Sequence, residues 1–126
     1  MRRARRGLGP ITALLLSTAA AHADGDPARG EQRFVDCAAC HAPQPGIANV
    51  GPSLQGVFGR KAGTLADFRY SPALKRSGIT WTAQTIDAFI ADPQKMVPNN
   101  RMPYAGMPQA GDRADLIAYL SKAARQ

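Results

Sequence analysis

The sequence predicts an all-α chain in which short helices are joined by long loops. Three observations carry this. Helix-start signals recur along the chain, at Asp26-Pro27, Ser71-Pro72, Thr82, Asp92-Pro93 and Asp112. Little of the chain alternates apolar and polar residues in the way a half-buried strand requires. Two long segments, 42–69 and 97–111, are rich in Gly and Pro and lack helical periodicity, so they read as loops.

The elements follow in order. Asp26 is an N-cap with Pro27 at the first helical position, and this first helix runs to about Asp36. Gly30 and Phe34 lie on one of its faces, four residues apart. Ser71-Pro72 opens a short helix that Gly78 closes. Thr82 opens another, with Ile86, Phe89 and Ile90 on one side, and Asp92-Pro93 stops it and starts a further turn. Asp112 caps a last helix carrying Leu116, Ile117, Tyr119 and Leu120. No internal repeat and no low-complexity tract interrupts this order.

Residues 1–23 read as a cleavable export signal. Arg2, Arg3, Arg5 and Arg6 form a basic start, Leu8 to Ala21 a short apolar core, and Ala21-His22-Ala23 a small-residue cleavage site. The apolar run is well short of the roughly 20 residues that span a bilayer, so no transmembrane anchor is expected after cleavage. The mature chain is then one domain, 24–126. The whole chain carries a net charge of +7. Without the four leader arginines, twelve basic side chains face nine acidic ones, a net +3. That mild excess, with no basic stripe interleaved with aromatics, excludes nucleic acid as the expected partner.

Cys37-Ala38-Ala39-Cys40-His41 reads C-x-x-C-H, the attachment signature of a c-type haem. Two thiols three positions apart lie on one side of a single turn of chain, where both can add to the vinyl groups of one porphyrin. The adjacent His41 then offers its imidazole to the iron. Other uses of a C-x-x-C pair fit less well. A zinc site needs four ligands, and there is no second Cys pair. A thioredoxin-like redox pair follows a strand, whereas this one follows a helical pattern.

The apolar inventory agrees. Leu, Ile, Val and Phe make up 18 of the 103 mature residues, below the roughly 20% at which a self-sufficient core becomes doubtful. A buried haem would supply the missing apolar surface, and the apoprotein is expected to be largely unfolded. One axial position falls to His41. For the other, Met96, Met102 and Met107 are the candidates, since His22 leaves with the signal. A lone Met is more often core filler than ligand, but the second loop offers little helix or sheet to pack against.

These segments together resemble the class I cytochromes c, the mitochondrial and bacterial periplasmic electron carriers. The likeness covers nearly all of 24–126. Besides the haem motif it lies in Gly51-Pro52-Ser53-Leu54 and in Gly59-Arg60-Lys61-Ala62-Gly63. It continues in Gly78-Ile79-Thr80-Trp81, Arg101-Met102-Pro103-Tyr104-Ala105-Gly106 and Asp115-Leu116-Ile117-Ala118-Tyr119-Leu120. The resemblance implies that family's fold, short helices and long loops wrapped around one haem c bound covalently through Cys37 and Cys40. It also implies His41 and Met102 as the iron ligands, the distance from Trp81 to Met102 fitting the family. The Pro52 carbonyl is expected to accept the proton of the outer ring nitrogen of His41. Tyr70 and Trp81 are expected to bond a buried propionate with Arg60 beside it. Gly30 and Phe34 are expected to cross Leu116 and Tyr119.

Some positions depart from the mitochondrial pattern. Phe89 stands where those proteins carry a Tyr bonded to the Met sulfur, and Tyr104 where they carry Phe. Their lysine ring around the haem edge is mostly gone. Asp36, Gln94, Pro108, Gln109 and Ala110 occupy ring positions, while Lys95 and Arg101 survive. The resemblance implies a soluble, monomeric, periplasmic single-electron carrier rather than an enzyme. Its donor and acceptor would come from the bc1-type complexes, oxidases, reaction centres or dehydrogenases. A fixed haem subunit of a periplasmic dehydrogenase complex is the alternative. A peroxidase-like haem enzyme is a weaker one, because it needs an open iron position.

Overall fold

The structure, a computed structural model, describes residues 24–44 and 50–125. The expected export signal and cleavage site, 1–23, lie outside the described residues. Five helices appear among them: α1 (Pro27–Ala38), α2 (Pro72–Arg76), α3 (Ala83–Ala91), α4 (Pro93–Met96) and α5 (Ala110–Ala123). The β pairing among the described residues is one isolated antiparallel bridge, Lys61 with Thr80.

Local chemistry places four of the five helix starts. The Asp26 side chain accepts from the backbone N–H groups of Ala28 and Arg29. Ser71 caps α2 through Leu74 N, and Asp92 caps α4 through Lys95 N. Thr82 and Thr85 form a reciprocal capping box at α3. α1 continues two residues past its expected end, because Cys40 N and His41 N both bond the Cys37 carbonyl (3.0 and 2.8 Å) and prolong the turn. Cys37 therefore sits on the helix.

α5 departs from expectation. It begins at Ala110 after Gln109, which makes no side-chain cap, so Asp112 is not the cap. Asp112 lies in the first turn and pairs with Arg33 of α1 at 2.9 Å. The entry is fixed by Arg113, whose Nη1 donates to the Met107 and Pro108 carbonyls (2.8 and 2.9 Å) and whose Nε donates to Asp87 of α3 (2.8 Å).

α1 and α5 cross at Gly30. A Cβ there would overlap the Asp115 carbonyl and lie 2.7 Å from Tyr119 Cβ, so only glycine permits this approach. Phe34 then meets Tyr119 at a ring separation of 5.3 Å, and Leu116 is among the most buried side chains. Asp115 is also buried, and it accepts from Asp26 N (2.6 Å) and from Arg29 Nε and Nη2 (2.7 and 3.0 Å). The Arg29 bond, helped by the Asp26 amide, holds the Asp115 carboxyl below the ordinary carboxylate range. Further along, Gly59 N bonds Trp81 O, Trp81 N bonds Arg60 O and Ala62 N bonds Ile79 O (2.7–2.9 Å). This stitch brings Arg60 and Trp81 to the same end of the core.

Candidate haem site

The last turn of α1 presents Cys37, and the turn after it presents Cys40 and His41. The following loop folds back over them, with Gly51 N bonded to Cys40 O and Leu54 N to Ala42 O (2.8 Å each). A Cβ on Gly51 would lie 2.6 Å from His41 Cε1 and 2.8 Å from Nδ1, so the backbone can cover the imidazole only because residue 51 is glycine. His41 Nδ1 is 2.8 Å from the Pro52 carbonyl and donates to it. That bond fixes the tautomer and leaves Nε2 as the ring nitrogen with a free lone pair. Burial holds the His41 pKa below its usual value, which the Pro52 bond only partly opposes, so the ring is kept in its neutral, metal-binding form.

Burial, reinforced by Asp36 and Cys40, pushes the free Cys37 thiol up to about 11. The pair closes helix α1 rather than following a strand, which argues against the thioredoxin-like reading.

Cys37, Cys40, His41 and Met102 line one cavity of about 480 Å³, within the usual range for a bound organic cofactor. Of the three candidate methionines, Met102 is the one on its wall. Met107 is buried in the core with its N–H on the Ile90 carbonyl (2.7 Å), and Met96 packs against that core. The walls are mostly apolar: Phe34 from α1, Ile86 and Phe89 from α3, and Leu116 and Leu120 from α5.

Pro52, Arg60, Tyr70 and Trp81 reach the same cavity. Tyr70 is buried against Phe68 (ring separation 4.8 Å), and burial raises its pKa, so the phenol stays a neutral donor. Trp81 meets Phe89 edge to face at 5.1 Å. The Arg60 guanidinium is partly committed to the chain itself: Nη1 donates to the Gln55 carbonyl (2.8 Å) and Nη2 to that of Ser53 (2.9 Å), closing the loop behind His41. Several further lining residues were not singled out from the sequence as cofactor contacts, among them Arg69, Ser71 and Leu74. Asn100 and Arg101 also line the cavity, and Arg101 Nη1 approaches the Tyr70 carbonyl at 3.4 Å. Their place two and one positions before Met102 is the only signal the sequence carries for them.

Two thiols, an imidazole nitrogen, a thioether and an apolar wall with a few polar groups fit a covalently held haem. The comparisons with known proteins agree. The Cytochrome c family profile matches residues 27–124. The chain belongs to the cytochrome c family. Cytochrome c2 of Rhodoblastus acidophilus is 50% identical over 99 residues, 78% of this chain and 92% of that one. Cytochrome c of Chlamydomonas reinhardtii is 44% identical over 110 residues, 86% of this chain and 98% of that one. The solved structure of cytochrome cH from Methylobacterium extorquens superposes with a TM-score of 0.71 at 44% identity, covering 77% of this chain and 98% of that one. This cytochrome is thus a class I monohaem protein with one haem c attached through Cys37 and Cys40, and its role is electron transfer rather than enzymatic turnover.

Proposed function

We propose that this cytochrome is a soluble periplasmic carrier of single electrons, with His41 and Met102 as its axial iron ligands. The haem would supply the redox chemistry, exchanging one electron between Fe(III) and Fe(II). The observation that carries the reading is that a neutral imidazole tied to Pro52 and the thioether of Met102 line the same cavity as Cys37 and Cys40. Cys37 and Cys40 hold the cofactor. Pro52 orients the His41 ring and raises its ligand basicity. Met102 favours a higher potential than a second His would give. Tyr70 and Trp81 offer hydrogen bonds to a propionate, and Arg60 offsets its charge. The apolar wall excludes water and so lowers the local dielectric, which also tunes the potential.

Residues 1–23 would direct export and be removed, leaving 24–126 as a monomer that docks briefly with a donor and an acceptor. These would be a bc1-type complex, an oxidase, a reaction centre or a dehydrogenase. Relatives named cytochrome c2 and cytochrome cH support a mobile carrier. No helix among the described residues is long and apolar enough to cross a membrane.

The test has two parts. The periplasmic fraction should contain a coloured monomer starting at Asp24, whose haem stays with the polypeptide in acid–butanone. Met102→Ala should abolish the sulfur–iron charge-transfer band and lower the potential, while Met96→Leu and Met107→Leu keep both. Loss of the band in Met107→Leu, with Met102→Ala unaffected, would overturn the ligand assignment.

A further inference from the structure

The segment that carries Met102 lies between α4 and α5 and belongs to no helix or strand, yet two side-chain amides fix its backbone. Asn100 is buried at 8% exposure. Its Nδ2 donates to the carbonyls of Pro93 and Val97 (2.9 Å each), and its Oδ1 accepts the Met102 N–H at 2.8 Å. Gln94, on the exposed side of α4, makes a second bridge. Its Nε2 donates to the Asn100 carbonyl (3.0 Å) and its Oε1 accepts from Asn99 N (3.2 Å). Asn99 between them has a φ of 65°, a conformation that Asn tolerates better than most residues with a side chain.

We infer that Asn100 is a positioning residue for the distal ligand: its amide ties the backbone of Met102 to α4, with Gln94 bracing Asn100 from outside. The inference rests on the assignment of Met102 as ligand. The physical argument is one of coupled costs. Any withdrawal of Met102 that carries its backbone along breaks the bond to Asn100 Oδ1. It also leaves Asn100 Oδ1 without its donor inside a buried site, where an unpaired polar group is costly, while the Pro93 and Val97 carbonyls keep backbone donors in Val97 N and Asn100 N. Around Met102 the loop's other ties are the 3.4 Å approach of Arg101 Nη1 to the Tyr70 carbonyl and two bonds within the segment, Asn100 N on Val97 O (3.2 Å) and Tyr104 N on Met102 O (2.9 Å). The loop's far end is fixed separately, by Met107 N on Ile90 O and by Arg113 on the Met107 and Pro108 carbonyls.

The test is competition by imidazole for the ferric holoprotein, read as loss of the charge-transfer band. Asn100→Ala removes the clasp, and Asn100→Leu removes it while keeping the volume of the side chain. Both should bind imidazole on the order of tenfold more tightly than wild type, as expected for losing bonds to buried partners. Gln94→Ala should tighten binding roughly threefold, since that bridge is exposed. Val97→Ala, which thins the same loop's buried contact but keeps all five hydrogen bonds, should leave imidazole affinity unchanged despite its lower stability. Wild-type affinity in both Asn100 variants would overturn the clasp. So would equal tightening in Val97→Ala, because the effect would then be general loosening. Should the Asn100 variants fail to assemble, Gln94→Ala decides, and wild-type affinity there counts against the inference. Retention of the band in Met102→Ala would instead remove the ligand assignment and the clasp with it, an outcome distinct from failure of the clasp alone.

Discussion

Replacing Gly30 by Ala should separate α1 from α5, and the structure sets the scale. The added Cβ would overlap the Asp115 carbonyl and lie 2.6 Å from its carbon and 2.7 Å from Tyr119 Cβ, where ordinary contact is 3.4–4 Å. Two of the opposing atoms are backbone and the third is the root of a side chain, so no rotamer change relieves the overlap. The helices must part by about an ångström, against interaxial distances of 8–10 Å. Parting them loosens the Phe34–Tyr119 contact at 5.3 Å and the hydrogen bonds of Asp115 to Asp26 and Arg29 at 2.6–3.0 Å. Overpacking of this kind costs roughly 1–3 kcal/mol, and the upper end applies because backbone must move. The better helix propensity of Ala returns up to about 1 kcal/mol. The net expectation is a loss of about 2 kcal/mol. Gly111 is the matched control: it lies in α5, and a Cβ there meets nothing within 4 Å. Gly111→Ala should gain about 0.5 kcal/mol, mainly by restricting the unfolded chain. Guanidinium unfolding of the ferric holoproteins, followed by far-UV circular dichroism, measures both as midpoint shifts at unchanged slope. Midpoints that move together, or a Gly30→Ala midpoint equal to wild type, would refute the account of the crossing.

Three other outcomes are expected. Because the Asp115 pKa is depressed below its ordinary 3.8, chiefly by the Arg29 bond, its stabilisation is full above that value and is lost as pH falls through the lower folded value. Asp115→Asn should therefore be less stable at neutral pH yet show a flatter stability profile below about pH 4, measured by denaturant midpoints across pH. With Asp36, Gln94, Pro108, Gln109 and Ala110 replacing most of a lysine ring, the rate of reaction with the native partner should fall only shallowly with salt. A steep fall in stopped-flow rates would show that charges elsewhere steer the encounter. At alkaline pH a lysine amine can displace a thioether, and Lys95 on α4 is the nearby candidate, since arginine at 101 has no amine that can coordinate. Lys95→Ala should thus retain the charge-transfer band to markedly higher pH, and an unchanged titration would exclude Lys95 as the replacement ligand.

What the sequence made legible is what is settled by neighbours in the chain. Asp26, Ser71, Thr82 and Asp92 cap the helices they were expected to cap, because a cap is a bond between residues two or three apart. The start of α5 was misplaced because Arg113 fixes it through carbonyls that precede the helix and through Asp87 of another helix, and no local pattern reports that. The haem motif was readable for the same reason as the caps: its chemistry is contiguous. Met102 was not separable from Met96 and Met107 on side-chain chemistry, and only the resemblance selected it. The structure adds the physical difference, since Met107 is spent on the core while Met102 reaches the cavity. Arg60 was expected as a partner for a propionate, and its bonds to the Ser53 and Gln55 carbonyls were invisible because they depend on how the loop folds. Asn100 reads in sequence as an ordinary turn residue, and its bridging role exists only once α4 is in place.

The shortage of apolar residues and the shape of the site are the same fact seen twice. Of the eleven residues in the buried hydrophobic cluster, seven also line the cavity: Phe34, Val57, Trp81, Ile86, Phe89, Leu116 and Leu120. The core is therefore arranged around the cofactor position, with the crossing of α1 and α5 on one part of it and α3 on another. Among the described residues, Ala62, Val97, Met107 and Ala124 belong to the cluster without touching the cavity, too few to support a fold alone. It follows that wall substitutions act on two quantities at once. A smaller residue at Ile86 or Leu116 weakens the packing that holds the helices together and admits water beside the iron, which raises the local dielectric. Stability and reduction potential should consequently change together along this wall. Gly30 lies outside the cavity, but parting the helices there shifts Phe34, Leu116 and Leu120 of the wall, so a loss of stability at the crossing should also reach the potential.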